Sequence, residues 1–105
     1  MKRRSLLPVS ALLLAAALPL AARAATHTVT IEGMKFSPAT VTAKAGDRIV
    51  FNNKDIVPHT ATAKGVFDSG AIAGGKSWSY VAGKPGKFDY VCTFHPGMKA
   101  TLVVQ

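Results

Sequence analysis

A thiol, an imidazole and a thioether recur at three-residue steps in the run Cys92-Thr93-Phe94-His95-Pro96-Gly97-Met98. A second imidazole, His59, stands upstream behind Pro58. Together these side chains suit a copper ion that changes oxidation state. Soft sulfur favours Cu(I) and imidazole favours Cu(II). Two histidines and a thiolate in a trigonal plane, with a weak axial thioether, make a blue-copper electron-transfer site. Singly, each residue has a plainer use: a buried cysteine packs as a small hydrophobe and a methionine fills core space. It is their conjunction that points to a metal. The remaining histidine, His27, lies near the start of the mature chain and reads as structural or solvent-exposed.

Cys92 is the only cysteine, so an intramolecular disulfide is excluded. The N-terminus has the marks of an export leader. Lys2, Arg3 and Arg4 precede an apolar run from Leu6 to Leu20, and Ala22-Arg23-Ala24 is a small-x-small cleavage site. Pro8 and Pro19 interrupt that run, and it is short for a membrane span. We therefore read residues 1–24 as a cleaved signal peptide and residues 25–105 as the mature domain, with Ala25 its first residue and the periplasm its destination. Arg3-Arg4 loosely resembles a twin-arginine signal, so the export route stays open. A lone cysteine in an oxidising compartment can be an idle buried thiol, an intermolecular disulfide or a metal thiolate. Its neighbours favour the last.

The mature part has nine lysines and arginines against five acids, a net charge of about +4 compared with +8 for the whole chain. The difference is Lys2, Arg3, Arg4 and Arg23. Such a balance aids solubility and can steer an acidic partner. The lysines are scattered, with no basic helix or recognition motif, which argues against nucleic acid. A domain of this size has a marginal core, so a bound metal would also matter to stability.

The elements that must position the ligands read as strands and turns. No stretch of the mature chain sustains a helical period. His27–Ile31 alternates, placing His27, Val29 and Ile31 on one face. Ala39–Ala43 and Arg48–Asn52 follow, the latter with Ile49 and Phe51 on one face. Thr60–Ala63 and Val66-Phe67 flank a turn at Lys64-Gly65. In Lys76–Val81, Trp78 and Tyr80 share a face, and in the next strand Phe88, Tyr90 and Cys92 do. Ala100–Val104 closes the domain. Short strands with frequent Gly and Pro turns predict a small all-β sandwich of two sheets. Cys92 then ends a strand, and His95 and Met98 lie in the following loop. Pro96 stiffens that loop by fixing φ, and Gly97 admits conformations that a side chain disfavours. His59 must arrive from another strand.

On these residues the chain resembles the type I copper proteins, the cupredoxins, and among them the amicyanins. The short Cys-x-x-His-x-x-Met loop and the Val57-Pro58-His59 segment carry the resemblance, which covers about His27 to Gln105. It implies a Greek-key β-sandwich binding one copper ion that cycles between Cu(I) and Cu(II). His59, Cys92 and His95 are then the strong ligands and Met98 the axial one. It further implies that the Asn53 side chain links the His59 segment to the cysteine loop. Gly97 stands where amicyanins carry a bulky apolar residue, which implies a smaller and flatter docking patch.

The function expected is electron transfer in the periplasm by a monomer without a small-molecule substrate. Partners would dock transiently near His95, against Pro58, Pro96 and Gly97. The resemblance implies a periplasmic dehydrogenase or similar donor, and a c-type cytochrome or oxidase as acceptor. A copper storage or delivery protein would use the same ligands, with exchangeable copper. An enzyme is disfavoured, because four protein ligands leave no ready position for substrate. Asp55 is near His59 in sequence, but that spacing reads as an exposed loop carboxylate.

Overall fold

The computed structural model describes residues 23–105. The expected leader lies outside the described residues, apart from Arg23 and Ala24. Among the described residues nine strands form in chain order: β1 (Thr26–Glu32), β2 (Lys35–Ser37), β3 (Thr40–Ala43), β4 (Arg48–Asn53), β5 (Thr62–Ala63), β6 (Phe67–Asp68), β7 (Ser77–Val81), β8 (Gly86–Cys92) and β9 (His95–Val104). They make two sheets, ordered β2-β1-β4-β7 and β3-β9-β8-β5-β6. β1 runs parallel to β4, and β3 parallel to β9; the other strand neighbours are antiparallel. This is the Greek-key β-sandwich that the strand pattern and the resemblance imply.

Alternation decides which side chains enter the space between the sheets, since successive residues of a strand face opposite ways. Val29 and Ile31 of β1, Ile49 and Phe51 of β4, and Ala100, Leu102 and Val104 of β9 are all buried. Aromatic rings close the centre. Phe51 meets Tyr90 edge-on at 5.5 Å, and Phe67 packs against Tyr80 at 4.6 Å. Trp78 and Tyr80 share a face as expected and stack at 6.2 Å, half-buried against this core.

Three departures from the sequence reading bear on the site. β2 was not expected. It pairs with β1 through a tight hairpin whose turn residues Gly33 and Met34 both have positive φ, 63° and 62°. That twist matches antiparallel strands, but Met is not a residue that marks such a turn in a sequence. Thr60 lies outside β5, and its neighbour His59 is held by an isolated bridge to Ile72. Finally, β9 begins at His95, so His95 and Met98 belong to the strand rather than to a loop before it. The ladder nevertheless breaks there. Val91 pairs with Lys99, while the next residue, Cys92, pairs with His95. Pro96, Gly97 and Met98 are thus looped out of the pairing, where the missing N–H of Pro96 costs no ladder bond. Met98 is buried, in phase with Ala100, Leu102 and Val104.

At the start of β1, Asp47 gathers three donors. One oxygen accepts the Ala25 N–H at 2.9 Å. The other accepts the Lys44 N–H and His27 Nε2–H, both at 2.9 Å. His27 is thus tied to the fold through Nε2, with its ring still partly exposed. The Ala25 and Lys44 amides, followed by the His27 ring, hold the Asp47 carboxyl at about 2 against an ordinary 3.8. A folded-state value below the unfolded one stabilises the fold above the ordinary carboxylate range, and that contribution is lost as pH falls towards 2. We expect thermal melting of the native protein to drop through this acid window. Asp47→Asn should melt lower at neutral pH and show a shallower acid limb; equal limbs in both proteins would contradict the assignment.

Candidate metal centre

Cys92 ends β8 and is fully buried, so its sulfur has a rigid base. His95 is directly across the two-residue turn Thr93-Phe94 and is half-buried. His59 arrives from the β4–β5 connection and is fully buried. Its backbone exchanges two hydrogen bonds with Ile72, at 3.1 and 2.7 Å. The result is convergence on one point. Nδ1 of His59 and Nδ1 of His95 each lie 3.7 Å from the Cys92 sulfur. All three ligand atoms fall within 4.8 Å of one another. The rings are edge to face, with centroids 5.2 Å apart.

These distances fit an ion. A metal about 2.3 Å from sulfur and about 2.0 Å from nitrogen, with ligands about 120° apart in a plane, sets sulfur and nitrogen roughly 3.7 Å apart. Two imidazoles and a thiolate are the trigonal donor set of type I copper. His59, Cys92 and His95 thus form a type I copper-binding site for one ion.

Two of the three donors are prepared by neighbours. Asp55 Oδ2 lies 2.8 Å from His59 Nε2. A carboxylate can only accept, so Nε2 carries the proton and Nδ1 turns its lone pair to the sulfur. Asp55 is itself fixed, accepting the Gly33 N–H at 2.8 Å and the Met34 N–H at 3.1 Å. The Gly33 amide, the His59 ring and the Met34 amide together hold its carboxyl below the ordinary range. The Cys92 sulfur accepts the Thr60 N–H at 3.3 Å. Burial opposes a charged sulfur, but the Thr60 and Phe94 amides meet it as donors, and the thiol is held below its ordinary range. Those amides favour the thiolate that a metal requires.

Asn53 is fully buried, but its bonds differ from those expected. Its Nδ2 donates to Val57 O and Ile72 O, both at 2.9 Å, and its Oδ1 accepts the Asp55 N–H at 2.9 Å. These bonds organise the His59 segment. The tie to the cysteine loop is made by Thr60 instead, whose Oγ1 accepts the Thr93 N–H at 2.8 Å. The Asn53 amide is already used by Val57, Ile72 and Asp55, whereas the Thr60 hydroxyl meets Thr93. Asp55 is likewise half-buried and engaged, not the free loop carboxylate that its sequence position suggested. Gly74 was also missed. A Cβ there would stand 2.6 Å from the Asp55 carbonyl oxygen, so the Asp55-Ile56 backbone can approach only a glycine.

The comparisons follow the geometry. The Cupredoxin-like domain family matches residues 5–104. The chain belongs to the cupredoxin family. It is 34% identical over 83 residues to amicyanin-alpha of Methylorubrum extorquens, covering 73% of this chain and 70% of that one. It is 32% identical over 83 residues to amicyanin of Paracoccus versutus, covering 73% of this chain. The match spans 63% of that relative's length. The crystal structure of Paracoccus versutus amicyanin superposes with a TM-score of 0.69 and 29% identity, covering 87% of this chain and 88% of that one. This cupredoxin is thus amicyanin-like in sequence and in fold.

Because Asp55 sets the His59 tautomer, Asp55→Ala should weaken copper binding about 10- to 100-fold. Competition against a chelator of known affinity measures this. Unchanged affinity would remove Asp55 from the site's support.

Proposed function

We propose that this cupredoxin is a periplasmic one-electron carrier and not an enzyme. The observation that carries the reading is the pre-set, largely buried ligand triad. His59 and Cys92 are inaccessible, and only the His95 side of the site approaches the surface. Bound copper would supply the one-electron couple. The protein's part is to hold donors suited to both oxidation states, exclude water and present the His95 edge. Ligands anchored by Asp55, Thr60 and the β8–β9 turn change little between states, which keeps reorganisation small. Met98, buried and three residues beyond His95, is proposed as the axial thioether.

Burial also bears on the rival reading, copper storage or delivery. Delivery needs an exposed, exchangeable donor, whereas the sulfur here is fully covered. We therefore place electron transfer first.

The partner face is proposed around Pro58, Pro96 and Gly97, all exposed. Sequence reading omitted its larger apolar members. Phe94, next to His95, is 51% accessible, and Ile56, three residues before His59, is 96% accessible. Such a patch suits brief docking of a donor and of an acceptor such as a c-type cytochrome. The exposed lysines would orient the encounter.

One equivalent of Cu(II) added to the purified protein should give an intense thiolate-to-copper absorption and unusually small parallel hyperfine splitting. Reversible voltammetry should then show one retained couple. A pale spectrum with ordinary tetragonal splitting, or copper lost on reduction, would favour handling over transfer. For the docking face, Phe94→Asp should slow electron self-exchange by about one decade, leaving the absorption band in place. An unchanged exchange rate would move the docking face elsewhere.

A further inference from the structure

The start of β1 combines features that the copper centre does not use. β1 has seven residues, so this end lies about 20 Å along the strand from the hairpin tip beside Asp55. Processing after Ala24, the step read from the sequence, leaves Ala25-Thr26-His27 as a free amino terminus. The Ala25 nitrogen and His27 Nε2 each lie 2.9 Å from the Asp47 carboxylate, one on each oxygen. Both ends of this tripeptide therefore already lie against one carboxylate. β1 pairs here with β4, whereas its pairing with β2 begins only at Thr30.

We propose that the processed protein carries a second, all-nitrogen Cu(II) site at its amino terminus, formed by the Ala25 α-amine, the Thr26 and His27 amide nitrogens and His27 Nδ1. It rests on the export and processing reading, and not on the blue-copper site. The spacing sets the chemistry. The amine and the Thr26 nitrogen close a five-membered ring on one ion, as do the Thr26 and His27 nitrogens. His27 Nδ1 and the amide of the same residue close a six-membered ring. Four nitrogens in a plane is the arrangement that Cu(II) and Ni(II) adopt. The Asp47 contact supports the ring nitrogen required. Nε2 carries its proton towards the carboxylate, which leaves Nδ1 with the lone pair.

Binding moves no electron. Cu(II) displaces the two amide protons, and a third from the amine where that is protonated. The structural cost is local. The Arg48 N–H to Ala25 O bond at 2.9 Å and the first rungs between β1 and β4 are given up. Asp47 exchanges the amine for solvent and keeps the Lys44 amide. His27 is 30% accessible, so an ion can reach it without opening the core.

The test uses the exported, processed protein, with its amino terminus read by mass spectrometry. After one equivalent of Cu(II) has filled the thiolate site, a second should bind with a weak ligand-field band, no added thiolate intensity and the large parallel hyperfine splitting of tetragonal copper. His27→Ala should lose this second equivalent and keep the blue band. Thr26→Pro should do the same, because it removes the middle nitrogen but leaves the imidazole and the Ala25 carbonyl. A single equivalent bound by protein that starts at Ala25 would overturn the proposal. So would a second equivalent that survives both substitutions, as that marks adventitious binding elsewhere. An amino terminus other than Ala25 would overturn it at the processing step. The blue band is read separately in every case, so failure of the copper-centre reading is seen on its own.

Discussion

The site depends on a ring held from behind. His59 can turn Nδ1 to the buried sulfur only because its other nitrogen is tied to Asp55. Asp55 can serve only because the Gly33-Met34 hairpin tip donates two amides to it. The left-handed conformation of Met34, uncommon for a residue with a side chain, persists where the surroundings fix it. Here the turn geometry and the carboxylate both do so. Metal geometry at one end of the sandwich is thus traced to a tight turn between two other strands, and no single segment holds it alone.

The sulfur presents the opposite problem. Burying a charged thiolate is unfavourable unless donors meet it. The Thr60 amide, from the His59 segment, is such a donor; the two ring Nδ1 atoms approach the sulfur from different segments. The same segment therefore delivers one ligand and steadies another. The break in register between β8 and β9 completes the arrangement. It lets the chain return to the sulfur within three residues and then loop out Pro96 to Met98 before regular pairing resumes. One histidine ends up sealed and the other near solvent, the asymmetry on which the proposed carrier role rests.

β1 carries the same device at both ends. Asp47 at its start and Asp55 near its finish each accept two backbone amides and one histidine ring. Both carboxyls are held ionised by those donors. At the Asp55 end the partner ring is sealed and aimed at a sulfur. At the Asp47 end the ring is accessible and shares its carboxylate with the chain start. The difference in burial separates a permanent metal site from one that could form only by loosening a strand end.

Ligand types, strand alternation and turn residues were legible because they are local. Cys92, His95 and Met98 lie within one short run, and period-two burial identifies β1, β4, β8 and most of β9. What could not be read were contacts between distant segments. Asp55 looked like loop solvent exposure because its partners, Gly33 and Met34, lie more than twenty residues away. Thr60 gave no signal, since the donor it offers the sulfur is a backbone amide that every residue but proline has, and its hydroxyl meets Thr93 from far along the chain. The Gly33-Met34 hairpin was hidden because methionine is not a turn former, and Gly74 because its crowding comes from Asp55 and Ile56 across a loop. The sequence by itself determined which atoms can bind copper and that strands present them. Only the tertiary structure decided which nitrogen of the His59 ring faces the sulfur, because that follows from a hydrogen bond to Asp55, itself fixed by a distant hairpin that meets it only when the chain packs.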